Sequence, residues 1–342
     1  MIELRKIRKT FNKGAANNIV AIDDLTLKLD DGDFITVIGG NGAGKSTLTN
    51  IIAGTYAPDY GQVLLNNTDV TKMSEYKRAP YFGRVFQDPM MGTAADMTVI
   101  ENLALAYGRG KPRSLFRWSY HKDDVEFFKK ELATLDLGLE ERLYQKVGLL
   151  SGGQRQALTL LMATIRSKPS YRRIRKEYVQ FFDGDKKIAK EQVETAYKNA
   201  VETFAKAKKD IDNDATLTKE EKKQSVTKAR KAMDEAIRRF DVTKPVLLLD
   251  EHTAALDPKT AEKVLTITDK IINENNLTTI MITHNMKDAI RYGNRLIMMS
   301  KGRIVVDIKG EEKKKLTIEA LLEMFASSSK NDFLSDSTIL GD

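Results

Sequence analysis

The sequence predicts an α/β fold: a parallel β-sheet with helical crossovers, an antiparallel β segment before it, and an inserted helical hairpin or small bundle. Three observations predict it. Short, largely apolar runs recur beside turn and helix signals, the pattern of strands buried on both faces. One such run feeds a glycine-rich loop that opens into a helix. A charged stretch from Pro169 to Lys244 then breaks the rhythm, with apolar residues at spacings of three and four.

The elements follow in chain order. Leu25–Leu29 alternates apolar and polar residues, which suits an antiparallel strand with one wet face. Phe34–Ile38 is a buried strand, followed by a glycine loop and a helix over Thr47–Ala53. Arg155–Thr164 forms the next clear helix. After the insertion, Val246–Leu249, Thr279–Ile282 and Arg295–Met299 read as further buried strands. Ile318, Leu321, Leu322 and Phe325 share one face of a closing helix, and the tail from Ser327 is expected to be mobile.

Composition narrows the function classes. Of 342 residues, 41% are hydrophobic and 30% charged, ordinary for a globular chain. Runs such as Val246–Leu249 fall far short of the ~20 apolar residues that cross a bilayer. Met1–Lys6 lacks the apolar core of a signal peptide, so cytosolic residence is expected. The absence of cysteine excludes disulfides, cysteine zinc sites and thiol chemistry. Of the net charge of +8, Pro169–Lys244 carries a surplus of six, with 20 Lys/Arg against 14 Asp/Glu. Such a segment attracts nucleic acid or anionic lipid, or is simply a solvated helical face.

The chemistry begins at Gly39-Gly40-Asn41-Gly42-Ala43-Gly44-Lys45-Ser46, which fits the phosphate-loop pattern between a strand and a helix. Glycines let backbone N–H groups close on a polyphosphate, and the helix N-terminus adds a favourable dipole. Lys45 is placed to reach the β- and γ-phosphates, and the Ser46 hydroxyl to ligate Mg²⁺. Thr47 continues the loop into the helix. The strand Val246–Leu249 ends in Asp250 and Glu251. Asp250 suits water-mediated Mg²⁺ binding, and Glu251 suits orienting the attacking water.

Leu150-Ser151-Gly152-Gly153-Gln154-Arg155-Gln156 resembles the signature sequence of the ABC ATPase family. With the phosphate loop and carboxylate strand in the expected order, the resemblance covers Met1 to about Pro169 and about Lys244 to Gly310. It implies a RecA-like core with an antiparallel β subdomain over 1–87 and 245–310, and a helical signature subdomain over 88–168. The insertion then occupies 169–244, and a helix with its tail occupies 311–342. It further implies that Ser151, Gly152, Gly153 and Gln154 close over ATP held by a second copy. Gln87 matches the loop glutamine that touches Mg²⁺, His284 the switch histidine, and Asp257 the loop aspartate that communicates across the dimer. Phe11 is the candidate for stacking on adenine. Two departures stand out: His252 follows Glu251 where the family usually has proline, and the insertion opens a Lys-Pro link after the signature helix, between Lys168-Pro169 and Lys244-Pro245.

Within the insertion, Val193, Tyr197, Ala200, Phe204, Ala207 and Ile211 form one helical stripe. Asp212-Asn213-Asp214 suggests a turn, and Thr218 with Glu221 a capping box. Val226, Ala229, Met233, Ala236 and Phe240 continue a second helix, each long helix being roughly 35 Å. Tyr171, Ile174, Tyr178 and Phe182 suggest a shorter third.

The resemblance implies an ATP- and Mg²⁺-dependent ATPase subunit of a transporter, a head-to-tail homodimer, peripheral at the inner face of the cell membrane. Its stretches Gly92–Leu103 and Asp250–Pro258 resemble ATPases of bacterial amino-acid importers, including tryptophan-type systems. The implied partners are membrane permease subunits and an extracellular substrate-binding protein, not nucleic acid. The alternative reading is an ABC ATPase acting on nucleic acid or a protein complex through the basic insertion.

Overall fold

A computed structural model of the chain describes residues 1–14, 17–109, 120, 122–165, 171–182, 184–238 and 245–328. The chain divides into two compact units. One comprises Met1–Leu65, Asp69–Ser167 and Pro245–Asp342; the other comprises Asn66–Thr68 and Lys168–Lys244.

The larger unit opens with β1 (Ile2–Phe11) and β2 (Ile19–Leu29), followed by β3 (Phe34–Ile38) and α1 (Lys45–Ala53). β4 (Tyr60–Leu65), β5 (Thr68–Asp69, whose Thr68 is counted with the smaller unit), α2 (Glu75–Arg78) and β6 (Phe82–Val85) come next. Then come α3 (Val99–Tyr107), α4 (Lys122–Ala133) and α5 (Gly152–Thr164). The first sheet has the order β2-β1-β4-β5 and is antiparallel at β1. Ile2, Leu4 and Ile7 point into its core. The three-residue step from Leu4 to Ile7 crosses a bulge at Lys6, whose φ is 48°.

α5 buries residues all round, from Gln156 to Ala163, which is why it shows no amphipathic stripe in the sequence. It begins three residues before the expected start, because Ser151 caps it and both signature glycines lie in its first turn. α1 likewise begins at Lys45 rather than Thr47.

In the smaller unit, α6 (Tyr171–Phe181), α7 (Lys186–Asn213) and α8 (Lys219–Arg238) form the three expected helices. Their core is Ile174, Val193, Ala200 and Ile237, with Tyr178, Tyr197 and Met233 packed against it. The expected lengths need correction. α7 is about 42 Å long and α8 about 30 Å at 1.5 Å per residue. The helix runs through Asp212 and Asn213 to Asp214, its C-cap, and Phe182 falls just past α6. The Thr218–Glu221 capping box is present, with Thr218 N donating to Glu221 Oε2 at 2.8 Å. Lys168, Pro169, Phe240 and Lys244 lie outside the described residues.

The larger unit resumes with β7 (Val246–Asp250), α9 (Pro258–Asn275), β8 (Thr279–Ile282) and α10 (Met286–Arg291). It closes with β9 (Arg295–Ser300), β10 (Arg303–Lys309), α11 (Glu311–Lys314) and α12 (Ile318–Ser328). The second sheet has the order β10-β9-β3-β8-β7-β6. Its neighbouring strands from β9 to β6 are parallel, and β10 runs antiparallel at the edge. Parallel register sends the C-terminal ends of β3, β6, β7 and β8 to one edge: Val37 is level with Ile282, Asp250 with Ile282, and Val85 with Leu249. α12 buries Leu321 and Phe325 against Ile38, Met286, Leu296 and Met298. Ser327 and Ser328 still belong to this helix, a correction to the expected start of a mobile tail; residues 329–342 lie outside those described.

Candidate functional site

The loop between β3 and α1 cannot be built from ordinary residues. Gly44 has φ 98°, and a Cβ there would lie 2.4 Å from the Ala21 carbonyl oxygen. At Gly39 a Cβ would lie 2.3 Å from the Met299 carbonyl oxygen. The close approach to β9 therefore demands glycine as much as the turn does. Asn41 and Gly42 are exposed, Ala43 and Gly44 are buried, and Thr47 is half-buried in the first turn of the helix. The N-cap of α1, Gly44, makes no side-chain hydrogen bond, and no acidic residue occupies the first turn. Unneutralised N–H groups at such a helix start favour an anion.

Lys45 is buried beneath this loop, its Nζ donating to Gly39 O at 2.7 Å and Gly40 O at 3.1 Å. Burial lowers its pKa, and the nearby Glu251 and Asp250 oppose that shift. Ser46 Oγ donates to Asp250 Oδ1 at 3.2 Å, joining the loop to the end of β7. Burial raises the Asp250 pKa, while the Ser46 hydrogen bond and the charges of Arg84, Lys45 and His284 hold it down. Glu251 follows with φ 48°, a left-handed conformation that a non-glycine residue adopts at a cost. Its N–H donates to Ile282 O at 3.1 Å, and its Oε1 lies 2.5 Å from His284 Nε2 at the end of β8. The glutamate side chain is 13% exposed and the histidine 37%, so the pair sits at the mouth of the site.

The structure thus brings Lys45, Ser46, Asp250, Glu251 and His284 to one sheet edge. Gln87 leaves β6 two residues past Val85, level with the exit of Glu251 two residues past Leu249, and is exposed. Phe11 ends β1 and meets Tyr56 edge-on, with ring centroids 5.3 Å apart. Asp257 caps α9, accepting from Thr260 N at 3.1 Å, and hydrogen bonding from the Thr260 side chain, then from its backbone, lowers its pKa.

The signature turn is built on α9. Ser151 Oγ accepts from Gln154 N at 3.3 Å, and Gln154 Oε1 accepts from Ser151 N at 3.2 Å, a reciprocal capping box. The Gln154 amide also donates to Leu137 O at 3.2 Å. A Cβ at Gly153 would lie 2.3 Å from Thr260 Cγ2, so this glycine permits close packing beside the Asp257 cap. Ser151 and Gly152 are exposed.

Two contributors escaped sequence reasoning. Arg84, an arginine within an otherwise buried strand, bonds Asn50 Oδ1 and Thr55 Oγ1, each at 2.8 Å, and acts electrostatically on Asp250. Its signal was a cation in an apolar run. Tyr56, the partner of Phe11, follows the Gly54 cap of α1 and carries no local signal for this contact.

A sequence family described as ABC transporter matches residues 22–171. The tyrosine transport ATP-binding protein of Clostridioides difficile is 36% identical over 326 residues, covering 95% of this chain and 98% of that protein. The chain belongs to the ATP-binding proteins of ABC transporters. The phosphonates import ATP-binding protein PhnC of Lactococcus lactis is 25% identical, covering 95% of this chain and 98% of that protein. A solved dimeric ATP-binding cassette, in a post-hydrolysis state with ADP and Pi, shares the fold with a TM-score of 0.58. It is 21% identical and covers 90% of this chain and 98% of its own. This ABC transporter protein is accordingly an ATP-binding, ATP-hydrolysing subunit with the expected α/β cassette fold. Among its described residues, no helix is long and apolar enough to cross a membrane.

Proposed function

We propose that this subunit drives an amino-acid importer, with an aromatic amino acid as cargo. The cargo reading rests on the tyrosine transport relative, whose alignment runs through the inserted segment. Two copies bind two ATP head to tail, each phosphate loop facing the partner's signature turn. The dimer works at the inner face of the cell membrane beneath a permease fed by an extracellular substrate-binding protein. The domain division is a catalytic core over 1–87 and 245–310, a signature subdomain over 88–168, an appendage over 169–244 and a closing helix with its tail over 311–342.

The single observation that carries the mechanism is the 2.5 Å contact of Glu251 with His284, beside Lys45 and Asp250. In this reading Lys45 holds the β- and γ-phosphates, and the amides of Gly39, Asn41, Gly42, Ala43, Gly44, Ser46 and Thr47 surround them. Glu251 orients and deprotonates the attacking water. His284 steadies Glu251 and senses the γ-phosphate, and Phe11 with Tyr56 flanks adenine. Ser151, Gly152, Gly153 and Gln154 complete the partner's site, and Asp257 relays closure between the two.

The Ser46 hydroxyl and Asp250 carboxylate, 3.2 Å apart, offer hard oxygen donors that suit Mg²⁺, with Gln87 at the same edge. Among the described residues no cluster of three acidic, histidine or cysteine side chains forms a metal cage. Such a sparse donor set leaves positions for phosphate oxygens and water, as Mg²⁺ requires. When bound, Mg²⁺ neutralises charge on the β- and γ-phosphate oxygens.

The test is uptake of labelled tyrosine in cells whose own copy is replaced by Glu251→Gln. Uptake falls to background if the reading is right. Unchanged tyrosine uptake, with ATPase activity lost in the purified variant, refutes the cargo assignment.

A further inference from the structure

The turn after β7 holds Glu251 in a left-handed conformation, and something must keep it there. Ala254 N donates to Glu251 O at 3.0 Å, closing a four-residue turn with His252 in its second position. Proline favours that position because its ring presets φ. Here histidine occupies it, and its side chain turns inward. His252 is 2% exposed, with Nε2 3.2 Å from Thr268 Oγ1. Thr268 is 1% exposed and donates its hydroxyl to Val264 O at 2.8 Å. The hydroxyl proton is thereby committed, so Thr268 accepts at His252 and the imidazole carries its proton on Nε2. A chain of two buried hydrogen bonds ties the Glu251 turn to the middle of α9.

We propose that His252 is a positioning residue for Glu251: by bonding Thr268 it anchors the turn that aims the carboxylate. A proline restrains such a turn through its own backbone; His252 restrains it through a neighbouring helix. The anchor is rigid because α9 is packed through Val264, Leu265 and Ile272. Its loss lets the turn relax toward unstrained φ, moving the carboxylate from the attacking water without touching Lys45 or Ser46. The inference rests on Glu251 being the catalytic carboxylate.

The experiment is steady-state ATPase kinetics and ATP binding on the full chain with His252→Leu, Thr268→Val, the double variant and His252→Gln. Each single loss lowers kcat about tenfold with KM for ATP unchanged, the scale of a modest misplacement of a reacting group. The double variant is no slower than either single one, because both remove the same bond. Glutamine presents an N–H in place of Nε2 and restores kcat to within about threefold of native. A native kcat in folded His252→Leu overturns the proposal, as do a KM rise matching the kcat loss, losses that multiply in the double variant, or no recovery in His252→Gln. Glu251→Gln is measured alongside. If that variant turns over normally, the catalytic reading of Glu251 fails and takes His252 with it; if it is slow while His252→Leu is native, only the positioning role fails.

Discussion

Replacing Glu251 by glutamine isolates one function from a crowded site. Glutamine has the same length, so the cost of φ 48° is unchanged and an amide oxygen still faces His284. Two things change: the base is lost, and one negative charge leaves the phosphate site. Loss of a positioned general base costs at least ~10² in kcat. The charge acts in the other direction. Glu251 is 13% exposed, so its repulsion of a phosphate falls between the aqueous and near-surface regimes, about 1 kcal/mol at several ångströms. ATP should therefore bind roughly fivefold more tightly to Glu251→Gln. The same loss removes one of the two carboxylates that oppose the lowering of the Lys45 pKa by burial, leaving Asp250. Phosphate release measures turnover, titration with a fluorescent ATP analogue measures affinity, and gel filtration with ATP and Mg²⁺ should show a trapped dimer. Near-native turnover, or weaker ATP binding with the fold intact, refutes the reasoning.

Ser151→Arg should leave ATP binding to one chain intact while blocking closure, and mixing it with Lys45→Ala should give dimers with at most one workable site. Loss of ATP binding by the Ser151→Arg monomer would show the signature acting within its own chain. Replacing 170–243 with a short Gly-Ser link should preserve basal ATPase activity, because the inserted helices have their own core of Ile174, Val193, Ala200 and Ile237; assembly or regulation should change instead. A folded deletion variant unable to bind ATP would place the segment in the catalytic machinery. Lys313 is 2% exposed, donates to Gly293 O at 3.1 Å and to Tyr292 O, and burial pushes its pKa from 10.5 down to about 8. Between pH 8 and 10.5 the unfolded chain holds the proton that the folded chain releases, so this lysine makes stability rise with pH by about 3 kcal/mol across that window. Denaturant melts of Lys313→Met should lack that increment, and parallel pH slopes in the two proteins would count against it.

Features that depend on contiguous backbone chemistry are legible in the order of the residues alone. Eight residues from Gly39 to Ser46 contain both the tight turn and the helix start that a phosphate needs. Thr218 with Glu221 announces its helix start because a capping box spans four residues, whereas the same device at Ser151 and Gln154 emerges only in the structure. The ends of β7 and β8 were legible because wholly apolar runs stop at polar residues. Which strand ends are neighbours follows from the fold alone. β3 lies between β8 and β9, whose residues come more than 200 positions later in the chain. β1 loses its alternation at the Lys6 bulge, and β4 and β6 are short runs broken by glycine and a polar or charged residue, so no sustained period marks them. Arg78 reads as a surface cation, yet it is 1% exposed and bonds the carbonyls of Ile51 and Ile52 at 2.8 Å, closing the end of α1. Phe11 and His252 stand out in the sequence, but their partners Tyr56 and Thr268 do not. Their meaning comes from burial and proximity summed over the whole fold, which no local window of sequence contains.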